Sequence, residues 1–224
     1  MTGKITEIFE SIQGEGVYFG KKQVFVRFAQ CNLQCSYCDT EFNHFREYGV
    51  DELLSAIASY EGNYHSISFT GGEPLLQKDF LRENLLLLKQ AGNKTYLETN
   101  GTLPEALDEV IEFVDIIAMD IKLPSSGKSS GVYWDEHRRF LKTASQKEVF
   151  IKAVISTATT EEDCKVMLDL LNGEKYLGVL VLQPNSLEDG RQLEEKLTLF
   201  KNWGAHYPFS VCVMPQMHKL WGVR

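Results

Sequence analysis

The chain alternates short apolar segments with segments of helical periodicity along most of its length. Segments rich in β-branched and aromatic residues predict strands over residues 24–28, 66–69, 95–98, 115–119, 149–155, 177–182 and 209–214. Between them, apolar residues three or four positions apart predict helices over residues 51–60, 79–90, 104–113, 134–142, 161–171 and 187–201. Repeated strand–helix units with nearly continuous apolar strands predict a parallel sheet that curls towards a barrel.

Length and charge narrow the class of protein. A chain of 224 residues fits one domain, because α/β barrels often reach about 250 residues as a single unit. The formal net charge of −8 argues against a protein whose main work is binding nucleic acid, since such domains are usually basic. Residues 1–16 lack the apolar centre of a signal peptide, and the apolar runs fall far short of about 18 residues. We therefore expect a cytoplasmic protein that does not contact membranes.

Polar and glycine-rich segments follow the predicted strands. A cysteine cluster follows residues 24–28, and TGGEP follows residues 66–69. TNG, DIKLPSSG and QPN follow three later strands, and the eight-residue stretch at 124–131 is short enough to be a loop of one domain. Barrels of parallel strands place their chemistry where the strands end. The pattern therefore predicts a functional site at one rim of the barrel.

The cysteine cluster has the spacing C-x3-C-x2-C, formed by Cys31, Cys35 and Cys38. An odd, clustered set of cysteines in a reducing compartment indicates metal or cluster ligation and not a disulfide framework. Three thiolates on one loop can hold an iron–sulfur cube and leave one iron open to a small molecule, whereas fully ligated clusters use four. The alternative is a structural zinc site, which needs a fourth ligand. That ligand would have to be His44, Cys164 or Cys212.

The segment Thr70-Gly71-Gly72-Glu73-Pro74 adds a second signal. Two glycines after a buried strand let the backbone approach a ligand closely. Their N–H and C=O groups, with the Glu73 carboxylate, are suited to holding an ammonium group. Taken alone, the same residues also suit an ordinary strand-to-helix turn.

Together, the C-x3-C-x2-C loop and the GGEP segment resemble the radical S-adenosylmethionine (SAM) superfamily over about residues 24–185. The resemblance implies an α/β fold, a partial (β/α)6 TIM-like barrel of the radical SAM type, as a single domain over residues 1–224. It also implies a [4Fe–4S] cluster on Cys31, Cys35 and Cys38, with SAM on the fourth iron.

Four further segments are similar to the 7-carboxy-7-deazaguanine synthase family: EIFESIQGEG at 7–16, FVRF at 25–28, CDT at 38–40 and PQMHKLWGVR at 215–224. This resemblance implies a radical SAM lyase that converts 6-carboxy-5,6,7,8-tetrahydropterin to 7-carboxy-7-deazaguanine with loss of ammonia, in queuosine-type 7-deazapurine biosynthesis. It further implies Mg²⁺, an external flavodoxin- or ferredoxin-like electron donor, and a homodimer. Neither nucleic acid nor membrane is an expected partner.

The resemblance also implies roles for individual residues, although it names no general base. Expected substrate contacts are Gln13, Gly14, Glu15, Arg27, Thr70, His218 and Arg224. Expected cofactor contacts are Tyr37, Asp39, Gly72, Glu73, Lys122, Ser125, Gln183 and Asn185, and Thr40 is the expected Mg²⁺ ligand.

Alternation along the strand places Phe25 and Arg27 on one face, opposite Val24, Val26 and Phe28. If the Arg27 face lines the barrel, the cation needs a partner, and the substrate carboxylate would be one. The alternative is an arginine that snorkels at a strand edge.

The end of the chain, residues 216–224, is expected to close over the substrate site, with the terminal carboxylate on the amino-pyrimidine edge of the pterin. The alternative is a frayed terminus. Two other functions stay open at this point: a radical SAM activase that makes a glycyl radical on a partner protein, and a zinc-stabilised binding module without catalysis.

Overall fold

The computed structural model describes residues 1–38, 40, 44–60, 62–126 and 131–223. The strands are β1 (Thr2–Ile12), β2 (Lys22–Phe28), β3 (Arg46–Gly49), β4 (Ser66–Gly71), β5 (Thr95–Thr99), β6 (Ile116–Asp120), β7 (Glu148–Ile155), β8 (Val179–Pro184) and β9 (Ser210–Val213). The helices are α1 (Val50–Ala58), α2 (Lys78–Gln90), α3 (Pro104–Val110), α4 (Trp134–Ala144), α5 (Glu161–Gly173), α6 (Gly190–Gly204) and α7 (Met217–Trp221). Short 3-10 turns lie at Gly16–Tyr18, Pro74–Gln77, Ile111–Phe113 and Pro124–Ser126.

The strands form one sheet in the order β3-β1-β2-β4-β5-β6-β7-β8-β9. From β2 to β9 every neighbouring pair is parallel, and the connections after β4 to β8 carry the helices α2 to α6. The predicted strands are confirmed as β2 and β4–β9, and the predicted helices as α1–α6. The partial α/β barrel expected from the resemblance is confirmed as well.

Two antiparallel strands were not predicted. β1 pairs with β2 on one side and with β3 on the other. The pairing of β1 with β2 shifts register between Ile5 and Glu7, and this irregularity interrupts the alternation of inward and outward side chains. Because period-two alternation is the sequence signal for a strand, its interruption hides β1.

Local signals account for two of the helix starts. Pro104 occupies the first turn of α3, where its missing N–H costs no hydrogen bond. Thr160 caps α5 by accepting a hydrogen bond from the Asp163 backbone N, and three acidic residues follow it. Within the described ranges, no helix has the length and apolar character needed to cross a membrane.

The main core lies between the sheet and the surrounding helices, and Val24, Val26 and Phe28 of β2 belong to it. A second, smaller core fills part of the barrel interior, where Tyr96, Phe150 and Val181 pack with Tyr18. The opposite face of β2, which carries Arg27, therefore turns to the inside of the barrel.

Candidate active site

Two adjoining cavities open at the carboxyl ends of the parallel strands. The first, the cysteine cavity, is lined by Cys31, Cys35 and Cys38 and by the ends of β4 to β8. The second, the tail cavity, is lined by residues of β1, by Gln13 and Gly14, and by His218 and Val223 near the end of the chain. The residues common to both linings are Glu15, Arg27, Thr40, Thr70, Glu98 and Gln216. A molecule held in one cavity would therefore lie beside a molecule held in the other.

The GGEP turn approaches the cysteine loop through its backbone. A Cβ built on Gly72 would lie 1.8 Å from the carbonyl oxygen of Gln30, so only glycine fits there. The Glu73 backbone N donates to the same oxygen at 2.8 Å. This contact places the GGEP turn directly beside the cysteine loop in the wall of the cysteine cavity.

The donors around the thiols suit an iron–sulfur cluster. Cys31 Sγ accepts from the Leu33 backbone N at 3.4 Å and from Asn100 Nδ2 at 3.8 Å, and N–H groups of this kind stabilise cluster thiolates. Burial raises the pKa of Cys31 and of Cys35 in the metal-free protein. Among the described residues, no three His, Cys, Asp or Glu side chains are already gathered in a metal-binding arrangement. The three thiols nonetheless share one cavity on a single loop.

The structure does not support the zinc alternative, because none of the three possible fourth ligands lines the cysteine cavity. Cys164 is fully buried in the main core, and Cys212 is half-buried on β9 with the smaller core. His44 lines the tail cavity and not the cysteine cavity. A closed four-ligand site on the three clustered cysteines would require these elements to move.

The far wall of the cysteine cavity presents buried acceptors. Asp120 Oδ1 and Gln183 Oε1 are buried and have no hydrogen-bond partner among the described residues, and both residues line the cavity. A buried acceptor without a donor is costly, so these atoms suit the N–H and O–H groups of a bound polar molecule. This fits SAM, which carries an ammonium group, hydroxyls and an adenine.

A chain of charges runs from this wall to the tail cavity. Lys122 Nζ lies 2.8 Å from Asp120 Oδ2, which is also 3.8 Å from Lys152 Nζ, and Lys152 pairs in turn with Glu15. Burial alone would raise the pKa of Glu15, but Lys152 and a hydrogen bond from Gln216 lower it to about 2. Glu15 therefore presents an ionised, acceptor-only group to both cavities.

Gln13 is held by three hydrogen bonds. Its Nε2 donates to Glu98 Oε1 at 2.7 Å and to Gln23 Oε1 at 3.1 Å, while its Oε1 accepts from the Glu15 backbone N at 3.0 Å. Thr70 Oγ1 donates to the other Glu98 oxygen at 2.7 Å. The Gln13 amide thus orients the Glu98 side chain through a hydrogen bond. The Glu98 carboxylate in turn lines both cavities.

Arg27 already has a protein partner. Its Nε lies 2.6 Å from Glu7 Oε1, and Glu7 and Arg27 are directly paired residues of the antiparallel strands β1 and β2. The guanidinium also lies over the ring of Phe9, 5.5 Å from its centroid. The hydrogen bond to Glu7 uses Nε, so this bond leaves the two terminal nitrogens of Arg27, which lines both cavities.

The end of the chain lies against the N-terminal segment. The Met217 backbone N donates to the Gly14 carbonyl oxygen at 2.8 Å, and Gln216 Nε2 donates to Glu15 Oε1 at 2.7 Å. A Cβ on Gly14 would lie 2.4 Å from His218 Nδ1. The described part of the tail is therefore docked at the tail cavity.

Most of the predicted site residues come together. Tyr37, Thr40, Lys122, Gln183 and Asn185 line the cysteine cavity with Gly72 and Thr70. Asp39 and Arg224 lie outside the described residues.

Two predicted cofactor contacts use their side chains inside the wall. Glu73 is fully buried and accepts from Thr99 Oγ1, Asn100 N and Leu75 N; burial raises its pKa to about 7. The Ser125 hydroxyl donates to Asp163 Oδ2, as does the Ser125 backbone N at 2.8 Å, and these bonds tie the Pro124–Ser126 turn to α5. Their roles as SAM contacts stay predictions.

Sequence reasoning did not single out Lys152, Glu98 or Glu7. A signal was present for Lys152, which interrupts an otherwise apolar stretch of β7. A lysine inside a buried strand is rarely tolerated unless a carboxylate pairs with it. The identity of that carboxylate, Glu15, follows only from the fold.

Comparisons with known proteins agree with this geometry. A model of the radical SAM superfamily matches residues 25–175. A 7-carboxy-7-deazaguanine synthase of Geobacter sulfurreducens is 34% identical over 98% of this chain and 97% of its own length. One from Methanothermobacter thermautotrophicus is 33% identical over 100% of this chain and 99% of its own length. The crystal structure of QueE from Escherichia coli superimposes with a TM-score of 0.65 and 21% identity, and the match covers 96% of this chain and 94% of that chain.

Proposed function

The chain belongs to the radical SAM superfamily, and we propose that it is a 7-carboxy-7-deazaguanine synthase, which converts 6-carboxy-5,6,7,8-tetrahydropterin to 7-carboxy-7-deazaguanine with loss of ammonia. The observation that carries the proposal is the meeting of the cysteine cavity and the tail cavity at shared polar residues. When bound, the [4Fe–4S] cluster and SAM supply the electron transfer and the radical that this ring contraction needs. The product belongs to queuosine-type 7-deazapurine biosynthesis.

The cysteine cavity is the place for the cofactors. Cys31, Cys35 and Cys38 hold the cluster, and Gly72, which lines the same cavity, contacts SAM through its backbone. Gln183 and Asp120, whose Oε1 and Oδ1 atoms accept no hydrogen bond from the part of the chain that the structure describes, line the same cavity. The further cofactor contacts are Tyr37, Asp39, Glu73, Lys122, Ser125 and Asn185.

The tail cavity is the place for the pterin. Arg27 binds the substrate carboxylate through the terminal nitrogens that Glu7 leaves. The ionised Glu15 carboxylate accepts hydrogen bonds only, and both oxygens of Glu98 act as acceptors beside it, so these two side chains suit the N–H groups along a pterin edge. Gln13, Gly14, Thr70, His218 and Arg224 complete the substrate contacts.

The proposal includes Mg²⁺ at the boundary between the cavities. Thr40 supplies its hydroxyl there, and Mg²⁺ prefers oxygen ligands while keeping water or substrate oxygens in its octahedron. With one protein ligand, the metal is held chiefly when substrate is bound. Thr40→Ala should therefore weaken the response of turnover to added Mg²⁺, and an unchanged response would remove this assignment.

The electron comes from an external one-electron donor of flavodoxin or ferredoxin type, and the enzyme acts as a cytoplasmic homodimer. These points are part of the proposal. The activase alternative is not favoured, because relatives matched over nearly their full length are named synthases and because residues 13–15, Gln216 and His218 line the tail cavity.

Anaerobic turnover tests the proposed function. Reconstituted protein with SAM, Mg²⁺, a chemical reductant and the carboxy-tetrahydropterin should form 7-carboxy-7-deazaguanine, identified by its mass and ultraviolet spectrum. The Cys35→Ala variant is the matched control and should form none. A wild-type protein with a full cluster that leaves the pterin unchanged would overturn the proposal.

A further inference from the structure

Three polar side chains form a closed ring of hydrogen bonds between the cysteine loop and the loop after β5. Asn100 Nδ2 donates to Asn32 Oδ1 at 2.9 Å, and Asn32 Nδ2 donates to Thr102 Oγ1 at 2.9 Å. Thr102 Oγ1 closes the ring by donating to Asn100 Oδ1 at 2.6 Å. Each side chain both donates and accepts, so the orientation of one determines the orientation of the next.

The ring decides which way the Asn100 amide faces. Asn100 Oδ1 also accepts from the Thr102 backbone N at 3.0 Å. A flipped amide would place its NH₂ group against that backbone N–H, a donor against a donor, in a site where Asn100 and Thr102 are both only 6% exposed. Nδ2 therefore points to the cysteine loop. One of its two hydrogens goes to Asn32.

The remaining hydrogen of Asn100 Nδ2 is directed at a cluster ligand, since Cys31 Sγ lies 3.8 Å away. Together with the Leu33 backbone N at 3.4 Å, it gives this sulfur two N–H donors. Hydrogen bonds to cluster sulfurs stabilise the more negative, reduced form and so raise the reduction potential.

We propose that Asn100 tunes the reduction potential of the cluster by donating an N–H to the Cys31 thiolate, and that Asn32 and Thr102 hold it in that orientation. The expected consequence is a cluster that accepts its electron more readily than one lacking this donor. The inference rests on the proposed function only because it requires the cluster on the three cysteines.

The test uses full-length protein reconstituted anaerobically with iron and sulfide, without SAM. Asn100→Leu removes the donor at similar volume, and Thr102→Val keeps Asn100 but opens the ring. Asn84→Leu is the matched control, because Asn84 is a fully buried asparagine on α2 whose amide donates to the Phe80 carbonyl oxygen. Iron content and the midpoint potential, followed by the electron paramagnetic resonance signal of the reduced cluster, are the readouts.

Asn100→Leu should hold a full complement of iron at a more negative midpoint potential than wild type. Thr102→Val should shift the potential in the same direction by less, and Asn84→Leu should not shift it. A wild-type potential in Asn100→Leu with full iron would overturn the proposal. If Asn100→Leu does not retain iron, Asn100→Ala, which also lacks the N–H donor to Cys31 Sγ, decides by the same criterion.

The proposed function and this inference fail separately. A wild-type protein that holds the cluster but does not convert the pterin would end the proposed function and leave the potential measurement meaningful. A protein that makes 7-carboxy-7-deazaguanine but shows equal potentials in wild type and Asn100→Leu would end only the inference.

Discussion

Lys152 and Glu15 form an ion pair inside the barrel, although 137 positions separate them in the sequence. Lys152 comes from the middle of β7, and Glu15 comes from the segment that leaves β1. Burial lowers the pKa of Lys152, but Glu15 and Asp120 outweigh this effect and raise it above its usual value. Each charge is kept in the interior by the other.

Replacing Lys152 with Met should destabilise the protein by about 3–5 kcal/mol, because the Glu15 charge is left buried without its partner. Glu15→Gln in the Lys152→Met background should recover part of that loss. The free energy of unfolding in urea, measured on the metal-free protein, gives both values. Simple addition of the two single losses would show that the pair is not coupled.

A surface pair provides the control for this cycle. Lys165 and Glu161 lie 3.5 Å apart on α5, and both side chains are largely exposed. Lys165→Met should change the free energy of unfolding by no more than about 1 kcal/mol, including the loss of the contact between Lys165 Nζ and the Trp203 ring, 4.6 Å from its centroid.

Each of Cys31→Ala, Cys35→Ala and Cys38→Ala should abolish assembly of the cluster, because two thiolates do not hold the cube. Iron content and the visible absorption of anaerobically reconstituted protein measure this. Cys164→Ala and Cys212→Ala serve as controls and should retain the cluster, with Cys164→Ala costing at most a few kcal/mol of core packing. Full activity in any of the three loop variants would contradict the central assignment.

Acid should destabilise the protein through His137. His137 is fully buried on α4; its Nε2 accepts from the Lys122 backbone N at 3.0 Å, and its Nδ1 lies 3.0 Å from the Gly101 carbonyl oxygen. The neutral ring with a proton on Nδ1 satisfies both contacts. Burial, only partly offset by the bond to Gly101, lowers the pKa to about 4 from 6.5.

The unfolded chain therefore binds this proton before the folded chain does. The stabilisation is complete above about pH 6.5, where both states are neutral, and is lost as the pH falls from about 6.5 to about 4. The free energy of unfolding lost through His137 over this pH range is about 3 kcal/mol. The difference in unfolding free energy between wild type and His137→Gln should shrink over that range. The exposed His206→Gln is the comparison variant, and an equal pH slope in wild type and His137→Gln would refute the prediction.

Arg27→Ala should raise the KM for the pterin ten- to hundredfold, since losing a charged hydrogen-bonding partner costs about 1.5–3 kcal/mol. Binding of SAM should be unaffected. Steady-state kinetics and SAM binding measured on the same preparation separate the two effects. Glu7→Gln, which removes the protein partner of Arg27 but keeps the cation, should have a smaller effect on KM. An unchanged KM in Arg27→Ala would assign this arginine to structure alone.

A C-terminal His-tag, or deletion of Val223 and Arg224, should impair turnover while iron content stays full. Met217 and Gln216 hold the tail by hydrogen bonds to Gly14 and Glu15, the Val223 backbone N donates to the His218 carbonyl oxygen at 3.1 Å, and Val223 lines the tail cavity. An N-terminal tag should reduce turnover less than a C-terminal tag does. Wild-type kinetics in the C-terminally tagged enzyme would show that the terminal carboxylate does not bind substrate.

The parallel strands, their helices and the motif-bearing loops were predictable from the sequence. Each depends on contacts between residues close in the chain: period two for strands, three to four for helices, and two glycines after a strand for the turn at Gly72. The cysteine spacing and the GGEP segment likewise lie within short stretches, so their chemistry and the family they indicate could be read directly.

The partners of the buried polar groups were decided only by the tertiary structure. Glu15 with Lys152, Gln13 with Glu98 and His137 with the Gly101 carbonyl each join elements that are far apart in sequence. No local pattern specifies such pairs, because they depend on strand register and on which segment crosses the barrel interior. Strand β1 was also decided only by the tertiary structure. Its register shift near Ile5 interrupts the alternation of side chains from which a strand is predicted. Local propensity determined the elements, whereas the cost of burying an unpaired charge or amide determined how their side chains meet.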